Sequence, residues 1–79
     1  MELEIEDKLQ ERYKNLIINV DFEDFRIYTI TIKLEYQNNI YESKIQYKYL
    51  VDLTLEANIS IIEDIIDRKV IVSFYKKGE

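Results

Sequence analysis

The stretch YTITIKLEYQNNIYESKIQYKYLV, residues 28–51, decides the fold, because apolar residues recur at every second position on both sides of a pair of asparagines. Tyr28, Ile30, Ile32, Leu34 and Tyr36 alternate with Thr29, Thr31, Lys33 and Glu35; Tyr41, Ile45, Tyr47, Tyr49 and Val51 alternate with Glu42, Lys44, Gln46 and Lys48. Two antiparallel strands over 26–36 and 40–51 follow, with Asn38-Asn39 as the turn, since asparagine tolerates the positive φ that a two-residue hairpin requires. That turn sets Tyr36 opposite Tyr41, Leu34 opposite Ser43, Ile32 opposite Ile45, Ile30 opposite Tyr47 and Tyr28 opposite Tyr49, with these apolar residues on one face. The register has a cost: Glu35 meets Glu42 and Lys33 meets Lys44, like charges that cost roughly a few tenths of a kcal/mol each unless diagonal pairs offset them.

Outward from the hairpin, residues 4–14 read as a helix. Ile5, Leu9 and Tyr13 recur every four positions, Glu4, Glu6 and Asp7 stand in the first turn, and Arg12 and Lys14 in the last, as the helix dipole favours. Leu16, Ile18, Val20 and Phe22 then alternate with Ile17, Asn19, Asp21 and Glu23, so 16–22 fits a strand or an extension of the helix. Residues 52–59 are likewise open between strand and helix. Ser60 and Glu63 have capping-box spacing and place a helix over about 60–68. Val70, Val72 and Phe74 give a final short strand, and Lys76-Lys77-Gly78-Glu79 a solvated tail. The order α-β-β-β-α-β describes a single α+β domain, 1–79, in two layers: an antiparallel sheet with two helices on one face. Its first five elements superficially resemble those of double-stranded-RNA-binding modules, but the second helix carries Glu63, Asp64 and Asp67 where such a module needs lysines.

Composition narrows the chemistry. The chain has no histidine, cysteine or proline and one glycine, which removes imidazole and thiolate catalysis, disulfides and glycine-rich phosphate loops. No cofactor or metal site is expected; the strongest catalytic candidate, Glu63, Asp64 and Asp67 with Glu63 and Asp67 one turn apart, is most simply the wet face of a helix whose stripe is Ile61, Ile62, Ile65 and Ile66. No apolar run approaches a membrane span, and the acidic start is unlike a secretory signal, so the expectation is a cytoplasmic protein. Sixteen acidic against eleven basic residues leave a net charge of -5, which disfavours direct binding of nucleic acid or anionic lipid and favours a protein partner with a basic surface.

Two surfaces stand out as candidates for that partner. Glu4, Glu6, Asp7 and Glu11 on the first helix present acid, and Asp21, Glu23 and Asp24 interleave with Phe22 and Phe25 in a loop-like stretch. Strands of about eleven residues reach roughly 36 Å whereas the helices cover only about 15 Å, so the hairpin tip should outrun its cover and leave Tyr36 and Tyr41 for contact. The expected protein is a small non-enzymatic binder, an inhibitor that occupies a basic or nucleic-acid-handling surface. Size and composition resemble those of small phage-borne inhibitors of bacterial defence, anti-CRISPR proteins among them, which would place it in the host cytoplasm. The alternative is an accessory subunit, antitoxin or immunity-type protein, the subunit self-associating as a homodimer through a free sheet edge.

Overall fold

Apolar periodicity sorts the chain into a helix, a three-stranded meander and a long C-terminal helical run. The computed structural model describes residues 2–78 and gives α1 (Glu2–Arg12), β1 (Ile17–Asp24), β2 (Ile27–Tyr36), β3 (Asn39–Lys48), α2 (Leu55–Ile65), a π-helical segment (Ile66–Ile71) and α3 (Val72–Gly78). The sheet is antiparallel in the order β1-β2-β3, and the helices cover one face of it, an α+β domain. Among the described residues no helix is long and apolar enough to cross a membrane.

The hairpin forms as expected, with its turn one residue early. Gln37 and Asn38 occupy it, at φ 51° and 65°, and the pairing becomes Tyr36 with Asn39, Leu34 with Tyr41, Ile32 with Ser43, Ile30 with Ile45 and Tyr28 with Tyr47. The register therefore differs by two residues from the one the asparagine pair suggested. A shift of two preserves which face each side chain takes, so the apolar face survives. The like-charge cost disappears: Lys33 now stands opposite Glu42, with an ion pair at 3.7 Å, and Lys44 opposite Thr31. Cross-strand charge chose between two registers that apolar patterning cannot distinguish.

Of residues 16–22 all but Leu16 resolve as strand, and β1 runs from Ile17 to Asp24, so Asp21, Glu23 and Asp24 lie on a strand and not in a loop. Glu23 is the extra residue of a bulge between the Phe22–Tyr28 and Asp24–Ile27 pairs. The outer edge of β1 is closed by side chains of α1. Glu2, Glu6 and Gln10, four residues apart, accept hydrogen bonds from the backbone amides of Phe22 (2.8 Å), Val20 (2.9 Å) and Ile18 (3.0 Å). The Gln10 amide also donates to the carbonyls of Tyr13 and Leu16, pinning the connection into β1. Three helical side chains thus stand in for the carbonyls of a fourth strand.

The C-terminal third departs most from expectation. The second helix begins at Leu55, capped by Thr54, whose hydroxyl accepts the Ala57 amide at 3.1 Å; Ser60 lies inside the helix and caps nothing. The expected strand at Val70, Val72 and Phe74 is helical, and the chain stays helical into the expected tail, with Glu79 outside the described residues. Val70 and Phe74 are buried while Val72 is 44% exposed, a spacing of four and not of two. Ile62, Ile66, Val70 and Phe74 form one buried stripe, each four residues from the last. In a regular α-helix such a stripe drifts by about 40° per step. The wider turns of the π-helical segment absorb the drift, so the stripe stays on the sheet from end to end. The core centres on Ile5, Leu9, Ile30, Ile32, Ile62 and Ile66, all with no exposed surface.

Candidate functional site

The fold separates the candidate residues into two ends of a molecule 40 Å long and about 20 Å across. At one end lies the β1–β2 turn. Phe25 and Arg26 form it, at φ 46° and 65°, and Phe25 is 78% exposed. Left-handed backbone is the province of glycine and asparagine, and a bulky residue there is strained by roughly 1–3 kcal/mol. Asp21, Glu23 and Asp24 precede it, all exposed. The Glu2–Phe22 hydrogen bond brings the first turn of α1, with exposed Leu3 and Glu4, to the same end.

A second segment completes this end. The Tyr49 amide donates to the Arg26 carbonyl at 2.7 Å, which draws the connection after β3 alongside the turn and leaves Leu50, Val51 and Leu53 exposed beside it. That connection is held from below by Asn58, a buried polar residue on α2. Its carboxamide accepts from the Tyr47 hydroxyl (2.6 Å) and the Leu50 amide (2.8 Å), and donates to the carbonyls of Leu50 and Thr54 (2.9 Å each). Phe22 stacks edge-on against Tyr28, and Tyr28 against Tyr49, an aromatic row that backs the turn. Burial first, then the Glu2 charge, push the Tyr28 hydroxyl above its ordinary pKa, so it stays neutral beneath the acidic rim.

At the opposite end sits the β2–β3 turn. The expectation that it outruns its cover holds only in part: α2, the π-helical segment and α3 run on as about 36 Å of helix and reach Tyr41, while residues 35–40 stay exposed. Tyr41 is half-buried and packs against Phe74, ring centres 6.4 Å apart; Tyr36 remains 51% exposed. Between them is a groove of about 420 Å³ lined by Leu16, Leu34, Tyr36, Tyr41, Ile71 and Phe74.

Three of the four candidate acids of α1, Glu4, Asp7 and Glu11, are exposed and at i, i+3 and i+7 share one solvent face of the helix; only Glu6 leaves it. Glu6 is spent on the edge of β1, Glu4 lies at the Phe25 end, and exposed Asp7 and Glu11 lie further along the helix beside Lys8 and Arg12. Glu63 and Asp67 are more than a wet face: Arg12 reaches both, at 3.5 and 2.9 Å, and the buried Tyr13 hydroxyl donates to Asp67 at 2.6 Å. This cluster ties α1 to the second helix. Burial and the bond to Asp67 push the Tyr13 phenol up to about 12. The residues that sequence reading missed are Asn58 and the Leu50–Leu53 turn; a lone asparagine between Ala57 and Ile59 in an apolar helical stripe was the available signal for the first. No family model, curated protein or solved structure matches this chain.

Proposed function

We propose that this chain is a small acidic binding protein with no catalytic chemistry of its own, which seats the Phe25 turn in an apolar pocket on a partner protein. Lysine and arginine would rim that pocket and meet Asp21, Glu23, Asp24 and Glu4. Surfaces of that kind occur on proteins that handle nucleic acid, and occupying one excludes the nucleic acid, so inhibition is the expected consequence. The observation that carries the reading is Phe25 itself, mostly exposed and held at positive φ where asparagine or glycine would be unstrained. A large aromatic kept in a strained, solvated position among carboxylates has a rationale as an interface anchor and none as a folding element.

The test exploits that conflict. Replacing Phe25-Arg26 by Asn-Gly supplies the residues this turn prefers and should stabilise the fold by about 1 kcal/mol or more. The same change should abolish capture of the partner from a host lysate, and wild-type capture should weaken as salt rises. A double change of Tyr36 and Tyr41 to serine, at the other end, should leave capture intact. If the Asn-Gly variant captures as well as wild type while the tyrosine variant does not, the groove is the site and the Phe25 reading fails.

A further inference from the structure

The two edges of the sheet are treated differently. On β1 the outward amides are taken by Glu2, Glu6 and Gln10. On β3 they are left free. The residues flanking a two-residue turn exchange both backbone bonds, so the pairs Tyr36–Asn39, Leu34–Tyr41, Ile32–Ser43 and Ile30–Ile45 are the hydrogen-bonded ones within the hairpin. The backbone groups of Ile40, Glu42, Lys44 and Gln46 therefore point away from β2, and among the described residues nothing hydrogen-bonds to them.

We infer that a second copy of this chain pairs with that edge, antiparallel and centred on Ser43, joining the two sheets into one of six strands. Charge selects the occupant and the register. About a centre at Ser43, Glu42 faces the partner's Lys44 and Lys44 faces the partner's Glu42. The Lys33–Glu42 ion pair within one chain extends into an alternating row across the interface. A centre at Lys44 would oppose two lysines, and one at Ile45 would leave Lys44 against glutamine.

The helices supply a second reason. Glu63 and Asp67 face α1 through Arg12, so Ile61 and Ile65, about 200° further round, lie on the opposite flank of α2. The Tyr47–Asn58 bond and the Tyr41–Phe74 contact hold this helical run over β3. Its outer flank therefore stands above the free edge. Ile61, Ile65, Tyr41 and Ile45 are all half-buried there, an apolar strip that strand pairing with a second copy would cover.

The inference is independent of the Phe25 reading. Sedimentation of the full chain from about 1 µM to about 1 mM should show a concentration-dependent dimer. Lys44→Glu and Glu42→Lys should each weaken self-association at least tenfold, and an equimolar mixture of the two should restore it, because the mixed pair alone has opposite charges at both positions. The chain lacks cysteine, so Ser43→Cys should give a single intermolecular disulfide across the two-fold, where non-hydrogen-bonded pairs sit close enough to bridge. Ile45→Cys should not cross-link. A monomer throughout the range, a mixture that fails to restore association, or faster cross-linking at Ile45→Cys overturns the proposal.

Discussion

Replacing Asn58 by alanine should remove a large share of this protein's stability. Asn58 has no exposed surface, and all four hydrogen-bonding positions of its carboxamide are used, by Tyr47, by Thr54 and twice by Leu50. Truncation strands the Tyr47 hydroxyl, which is buried, at about 1–3 kcal/mol. The Leu50 backbone is nearer the surface and recovers water, so its two lost bonds cost about 0.5–1 kcal/mol each, and the Thr54 carbonyl keeps the Asn58 amide. With the small cavity added, the expected loss is about 3–4 kcal/mol, against a total stability of about 4–12 kcal/mol for a domain of this length. Urea melts followed by far-ultraviolet circular dichroism give the number. Tyr47→Phe should cost only about 1 kcal/mol, and in the alanine background, where it removes the stranded hydroxyl, it should cost nothing or restore stability, a coupling of at least about 1 kcal/mol. A loss below about 1 kcal/mol for Asn58→Ala, or an additive cycle, would show that this network does not hold the connection beside Phe25.

Tyr13 gives a pH dependence of defined sign. Its phenol is raised from 10 to about 12 in the folded chain, so its contribution is fully present below pH 10 and lost as pH rises towards 12. With solvent screening this is about 1–2 kcal/mol, and the difference between wild type and Tyr13→Phe should shrink across that window in melts at stepped pH. Thr54→Ala should cost about 1 kcal/mol as a lost helix cap, whereas Ser60→Ala should be neutral within about 0.5 kcal/mol; equal costs would contradict a helix starting at Leu55. Changing Glu6 and Gln10 together to alanine should bare the edge of β1, faster amide exchange at Ile18 and Val20 being the reading. Unchanged protection there would mean that the side chains of α1 do not close the edge.

The acidic and apolar end around Phe25 and the self-complementary edge of β3 lie on different parts of the surface, so binding a partner and pairing with a second copy need not compete. A dimer would carry two Phe25 turns at its far ends. Such an arrangement would let one assembly engage two target surfaces, with the gain in avidity set by their spacing.

Strict alternation over 28–51 was enough to determine the hairpin and its apolar face, because the side-chain period of a strand is local and needs no tertiary partner. The four-residue recurrence of Ile5, Leu9 and Tyr13 determined the first helix for the same reason. The register was underdetermined by that pattern, since a shift of two keeps every residue on its face; the Lys33–Glu42 pairing, a contact between strands, decided it. Val70, Val72 and Phe74 fit both periods over so short a stretch. Only the demand that Ile62, Ile66, Val70 and Phe74 all reach one sheet made the segment helical and widened its turns. The acids of α1 read alike in sequence, yet tertiary structure sets one apart: Glu6 is spent on an amide of β1 while Glu4, Asp7 and Glu11 stay together on the solvent face, because hydrogen-bond demand is set by which backbone groups the fold leaves unpaired.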